Sequence, residues 1–361
     1  MLAKAVHFLN YLFNHVFCVC IITILSGTFA KADEVKVADI NDLLDLPFNE
    51  LINVPIQSTS YFPESALDVA SSVSVIPHQD WEKRGARRLD DAIQHLPSVI
   101  SLPNFLGQSS VRIRGYALPD ARGVATLWDG VSVNTYNLAT ADIERPNIQI
   151  NTLKSIEVIR GPGSVLYGTD AFHGVVALES YESDVNASRV LARLGSNGFY
   201  SSAINSSTDV GKNSRLHVSI SSSGQPDQNI SYNYSGGSGE RAYNYQSTTL
   251  VTKFESKINN KWYYKLGIYY DDNDSNNFQH RWAYPANDVT STESDLAMLK
   301  ADIRYQVTAD SDLTLNTYAW ETNREFEFPL SATNSAFITG KERRNSAQLL
   351  YRIKNLSLDT E

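Results

Sequence analysis

Residues 261–270 read Lys-Trp-Tyr-Tyr-Lys-Leu-Gly-Ile-Tyr-Tyr. In an extended strand Trp262, Tyr264, Leu266, Ile268 and Tyr270 share one face, and Lys261, Lys265 and Gly267 share the other. The same alternation recurs at Leu299, Ala301, Ile303, Tyr305 and Val307, at Leu216, Val218 and Ile220, and at Ala347, Leu349, Tyr351 and Ile353. A period of two gives every strand one apolar and one hydrated face, so this half of the chain must form sheet between two different environments. A soluble antiparallel sandwich satisfies that pattern as well as a membrane barrel does.

The links between strands distinguish the two. Strands are predicted near 188–194, 199–208, 214–224, 245–256, 261–271, 295–307, 313–325 and 343–354. Some links are tight, at 257–260 and 308–311, while others, at 225–244, 272–294 and 326–342, run long and polar. Beyond the first hairpin long and short alternate, as in an outer-membrane barrel with short periplasmic turns and long outer loops. Tyr and Trp near strand ends suit its aromatic girdles. A secreted sandwich stays open as the alternative.

Residues 1–32 read as a secretory signal peptide. Lys4 precedes an apolar run over 11–25, broken at Asn14 and His15, and Ala30-Lys31-Ala32 closes it. A transmembrane anchor competes, but the run is short and interrupted against the ~20 residues that a spanning helix needs. Both cysteines, Cys18 and Cys20, lie in this segment, so the chain beyond it offers no disulfide framework and no cysteine metal site. Losing Lys4 and Lys31 moves the formal charge from −9 to −11, the wrong sign for nucleic acid as a partner.

Before a composition shift near 183–187 the pattern is mixed. Residues 72–76 read as a strand stopped by Pro77, and 78–84 as a helical turn closed by Gly85. Residues 88–96 place Leu89, Ala92, Ile93 and Leu96 on one helical face. Strand-like pieces follow at 111–115, 123–133 and 155–160, with Asp129-Gly130 as a hairpin signal. The expectation is a small α+β domain ahead of the strands.

Gly161, Gly163, Gly168 and Gly174 raise the question of a phosphate cradle. Gly163 and Gly168 have the spacing, but Thr169 stands where a lysine must reach the phosphates, and 174–178 reads as a strand instead of a helix. Val165-Leu166 offers no third glycine for a dinucleotide fingerprint. A phosphate-binding enzyme is therefore excluded, and no Ser/His/Asp constellation suggests another enzyme. Residues 272–276 begin like a calcium loop but lack its glycine and its glutamate, with Asn277 and Ala283 in their places, and are expected to be a solvated loop.

Taken in order, Val75-Ile76, Leu89-Asp90-Asp91-Ala92, Ile113-Arg114-Gly115, Leu127-Trp128-Asp129-Gly130, the run Ile156-Glu157-Val158-Ile159-Arg160-Gly161-Pro162-Gly163-Ser164 and Leu166-Tyr167-Gly168 resemble the plug of TonB-dependent outer-membrane receptors. The likeness covers about 48–182, and the remainder resembles the start of their barrel. Two positions depart from the family pattern. Ser98 replaces the glycine of Pro-Gly-Val, leaving a left-handed backbone there open, and 174–178 reads Gly-Val-Val-Ala-Leu for Gly-Val-Ile-Asn-Ile.

The resemblance implies a signal peptide at 1–32, a periplasmic segment at 33–63, a plug at 64–182 and an N-terminal portion of barrel at 183–361. Such receptors are 22-stranded barrels in the outer-membrane lipid, closed by the plug, that take up ferric siderophores, haem or cobalamin-like nutrients without a cofactor. Energy comes from TonB, which grips an extended N-terminal box by strand addition. The candidate box is Val54, Pro55, Ile56, Gln57, Ser58, Thr59 and Ser60. Arg114 and Arg160 match two plug arginines that pair with barrel glutamates, and the alternative is that backbone carbonyls with Asp120 or Glu157 fix them. Gly115, Asp129, Gly130, Gly161, Gly163, Tyr167 and Gly168 belong to the plug motifs, with Tyr167 and Phe172 as anchors of the glycine turn. His173 is expected to be a hydrogen-bonded loop histidine, with iron as the lesser alternative. About eight strands are too few to hold a plug. The expectation is a fragment or truncated form of an uptake receptor, with a non-transporting, secreted plug-like binding protein as the alternative.

Overall fold

The computed structural model describes residues 55–56, 64–65, 72–103, 109–115, 123–135, 148–163, 167–182, 188–234, 237–278, 289–331 and 334–353. The signal-peptide segment, the boundary at 183–187, Asp120, Ser164, Leu166, Val54 and residues 57–60 of the candidate box lie outside them.

Strands β1 (Pro55–Ile56) and β2 (Glu64–Ser65) form a short antiparallel pair. Strand β3 (Ser72–Pro77) ends at a residue with no N–H to give a ladder, and α1 (His78–Lys83) starts directly after it. Gly85, at φ +71°, closes that turn as expected. Helix α2 (Leu89–Ile93) buries Leu89, Ala92 and Ile93, and Asp91 caps it by accepting the Arg88 N–H at 3.2 Å. It ends at Ile93, short of the expected 96, with Gln94 as its C-cap and Pro97, which has no N–H to continue the ladder, just beyond. Ser98 takes the left-handed backbone at φ +64° even without glycine.

Strand β4 (Val99–Pro103) pairs with β5 (Ser109–Ile113). A second sheet takes β6 (Val124–Trp128), β7 (Val131–Ser132), β8 (Leu153–Arg160) and β9 (Gly174–Ser180) in the order β3-β8-β9-β6-β7, with β6 and β9 parallel. Gly174 is dictated by crowding: a Cβ there would meet Ile113 Cδ1 and the Ile159 carbonyl, both at 2.5 Å.

The rest is one antiparallel wall. Strands β10 (Ser188–Leu194), β11 (Tyr200–Asp209), β12 (Ser214–Tyr234), β13 (Gly237–Lys257), β14 (Trp262–Phe278), β15 (Val289–Thr308), β16 (Ser311–Ser331) and β17 (Asn334–Ile353) pair strictly in sequence. All eight predicted strands are present. The predicted long links are not loops for most of their length: strand continues through most of 225–244, 272–294 and 326–342, including the calcium-like 272–276. In 272–276 polar residues stand on both faces, so the alternation there carries no hydropathy signal.

Register sorts the wall into rows. Outward rows run Trp262-Tyr305-Leu313-Tyr351, then Tyr264-Ile303-Leu315-Leu349, Leu266-Ala301-Thr317-Ala347 and Ile268-Leu299-Ala319-Asn345. Above them Tyr270-Ala297-Glu321-Arg343 and Asp272-Asp295-Asn323-Lys341 turn polar and charged. The apolar band thus spans residues 262–270 of β14, matching the ~9–11 residues with which a tilted strand crosses lipid. Inward rows are different: Lys253, Ser219, Thr249, Asp271, Met298 and Trp320 are buried, and the small domain's core merges with Val251, Tyr269, Leu296, Met298 and Trp320.

Leu266 sits mid-band. Leu266→Arg is expected to cost roughly 2–4 kcal/mol and Asp274→Arg close to nothing, read by urea titration of the chain folded in lipid vesicles.

Candidate functional site

The seam between the small domain and the wall carries the chemistry. Asp129 and Gly130 link β6 to β7 with φ of +47° and +81°, a two-residue turn that needs left-handed backbone twice. That turn pushes the Asp129 side chain into the wall, where the residue is 7% exposed. One carboxylate oxygen accepts the Ser180 N–H at 2.8 Å, and the other meets Lys253 Nζ at 2.8 Å. Lys253, on β13, is 1% exposed and also donates to the Ser180 carbonyl at 3.2 Å. Lys300, on β15, donates to the Asp129 carbonyl at 2.7 Å. Burial would raise the Asp129 carboxyl, but the Lys253 ammonium, aided by Lys300, holds it well below the usual carboxylate range. Trp128, beside it, gives its indole N–H to Ser180 Oγ at 2.9 Å and meets the Tyr269 ring edge-on at 5.1 Å.

Further contacts extend the seam. Glu182 pairs with Lys265 at 2.6 Å; burial would raise its carboxyl, but Lys265 lowers it. On α1, Glu82 pairs with Arg189 and lies 3.9 Å from Arg193, which also donates to the Ala86 carbonyl at 3.2 Å. Arg87 lies over the Phe199 ring at 4.4 Å. Asn151 donates to Ser201 Oγ at 3.0 Å, and its carbonyl accepts from Asn205 at 3.1 Å. The Gln149 N–H donates to Thr249 Oγ1 at 2.9 Å, and Arg324 donates to Thr135 Oγ1 at 2.8 Å. Small Ser and Thr side chains on the inner rows let the two backbones approach this closely.

The arginines singled out from sequence meet at another corner. Arg114, at φ +59° next to Gly115 at +70°, donates to the Arg160 carbonyl at 2.6 Å. Arg160 donates to Ser74 Oγ at 2.8 Å and to the Pro97 carbonyl at 3.2 Å. Neither meets a wall carboxylate among the described residues.

The glycine turn leads through a single 3-10 turn (Thr169–Ala171) into β9, so among the described residues no α-helix follows it as a phosphate loop requires. Gly161 is buried, Gly168 has φ +83°, and a Cβ on Gly163 would lie 2.9 Å from Val175 Cγ2. Tyr167 packs on the cluster formed by Leu127, Ile159 and Val175, whereas Phe172 is 65% exposed and anchors nothing. Its neighbour Ala171 fills the buried position instead. The His173 N–H donates to the Gly123 carbonyl at 2.6 Å.

Sequence reasoning identified Asp129 as a turn and plug-motif residue and missed Lys253, Lys265 and Lys300 as seam partners. Their one signal was a polar residue on the inward register of an alternating strand.

Asp129→Ala strands the Lys253 ammonium in the seam and is expected to cost about 3–5 kcal/mol. Adding Lys253→Met should recover most of that in a urea double-mutant cycle. Strict additivity of the two changes would contradict the pair.

Comparison with known proteins matches this architecture. A model of the TonB-dependent receptor plug domain matches residues 65–175. The vitamin B12 transporter BtuB of Vibrio vulnificus is 31% identical over 139 residues, covering 38% of this chain and 22% of the transporter. BtuB of Photobacterium profundum is 27% identical over 150 residues, 41% of this chain and 24% of its own length. Pseudomonas aeruginosa FpvA bound to a heterologous pyoverdine superposes at TM-score 0.65 with 14% identity, over 85% of this chain and 42% of that one. The ferric-catecholate import receptor Fiu of Escherichia coli K12 gives 0.58 with 13% identity, over 83% and 48%. The chain thus spans under half the length of these proteins. The plug match and the shared fold together show that the chain carries a TonB-dependent receptor plug domain, followed among the described residues by eight antiparallel strands with the fold of these receptors' barrels.

Proposed function

We propose that the chain serves energised uptake of a scarce, bulky nutrient across the outer membrane, with the plug as a stopper that TonB dislodges. The observation that carries this reading is the seating of the plug on the wall's inner face through one buried and one partly buried ion pair, while the outer face is an apolar band. A fixed wall element needs no such reversible polar seam. Relatives named as cobalamin transporters and structural neighbours named as siderophore receptors support a cobalamin-like or ferric-chelate ligand.

Val54, Pro55, Ile56, Gln57, Ser58, Thr59 and Ser60 are the segment that TonB would grip. Pro55 and Ile56 are already extended and paired with Ser65 and Glu64, a backbone state suited to strand addition. Arg114 and Arg160 would pair with barrel glutamates outside the described residues, the Arg160 hydrogen bond to Ser74 tying that corner to the edge strand β3.

Ile56→Pro removes a backbone donor that strand addition needs. It is expected to weaken binding of TonB's periplasmic domain at least tenfold in calorimetric titration, with Ile56→Val unchanged. Equal binding by both variants would rule out this segment as the box.

A further inference from the structure

A cavity of ≈190 Å³ lies along the seam, and Asp129, Glu179 and Glu182 of the plug face Lys265, Lys300 and Asp302 of the wall across it. Tyr167 and Tyr269 complete its rim. Each nearby ammonium is already engaged by a carboxylate: Lys253 by Asp129 at 2.8 Å, Lys265 by Glu182 at 2.6 Å and Glu255 at 3.5 Å, and Lys300 by Asp302 at 3.3 Å. Glu179, on β9, is left over. It has no ion pair among the described residues, and Glu157 on the adjacent β8 adds a further buried carboxylate on the same side. Five carboxylates around three ammoniums, before Glu157 is counted, cannot all be ionised side by side in a partly buried seam without repulsion.

We propose that the plug–wall joint is proton-dependent: Glu179 holds the proton that balances the seam, and losing it loosens the plug from the wall.

Burial, with Asp129 and Glu157 as neighbours, pushes the Glu179 carboxyl up to about 8, against a smaller opposing pull from Lys253 and Lys300. The sign follows from linkage. A carboxyl that gains proton affinity on seating favours the seated state most at low pH, and that contribution declines as pH rises from its ordinary value near 4.5 to about 8. Asp129 and Glu182, both held low, act in the opposite sense and lose their contribution only in acid. The joint is therefore tightest at mildly acidic pH, weakens toward pH 8 and is level above it.

The test is urea release of the plug from the whole chain folded in lipid vesicles, followed from pH 5 to 9. The seating equilibrium is expected to fall by up to tenfold per pH unit toward pH 8 and then flatten. Glu179→Gln, which keeps the shape and needs no proton, should hold the high value across the range. Glu157→Gln keeps Glu179 but removes a repelling neighbour, so it should end the fall at a lower pH and reduce its size. Glu325→Gln, on the exposed outer part of the wall, should follow the wild type. A wild-type curve flat from pH 5 to 9, or a fall that survives Glu179→Gln, would overturn the proposal. If Glu179→Gln does not fold, an unaltered curve in Glu157→Gln would overturn it equally.

Discussion

The buried contact between Asp129 and Lys253 organises the rest of the molecule. A carboxylate and an ammonium are tolerated in so dry a place only when they are paired, and here the Ser180 backbone adds one hydrogen bond to each partner. The geometry starts in a two-residue turn. Positive φ at Asp129 and Gly130 aims the side chain out of the plug sheet, and β9 ends beside it to present Ser180. Lys253 then fixes where β13 passes, and Lys300 fixes β15 two strands further on. Register follows, because a one-residue slip of β13 would send Lys253 into the lipid band.

That constraint explains why the two faces of the wall differ so sharply. Outward rows are largely apolar for four steps and then carry acids. Inward rows carry Ser, Thr and Asn where the plug's backbone comes close, and aromatic rings such as Tyr269, which meets Trp128, and Trp320 where the cores merge. A polar seam of many modest hydrogen bonds around a few strong ion pairs holds a domain in one orientation.

Much of this was legible in the sequence. Alternation at 261–270 and 299–307 gave strand existence and the lipid face, and Asp129-Gly130 gave its hairpin. Gly85 marked the end of α1, and Pro97 marked a stop that came earlier than the helical pattern suggested. The lengths of the wall strands were not legible, because hydropathy ends where lipid ends while the backbone ladder continues through 272–276 and 334–342. Nor was the backbone at Ser98, where the hydrogen bond from Arg114 N–H to the Ser98 carbonyl holds a conformation that serine alone would not choose. The seam lysines were invisible for a different reason. Lys253 lies more than a hundred residues from Asp129, and only the stacking of plug on wall brings them together.

The account stands on a wall with lipid outside and plug inside, and its tryptophans report on that arrangement directly. Trp262 points outward at the band's edge, Trp81 and Trp128 are buried in the plug, and Trp320 lies on the inner face. The decisive measurement is fluorescence quenching by brominated phospholipid in single-tryptophan variants folded into vesicles. Strong quenching of Trp262, with Trp81, Trp128 and Trp320 unaffected, is the predicted result. Quenching of Trp128, or none of Trp262, would contradict it.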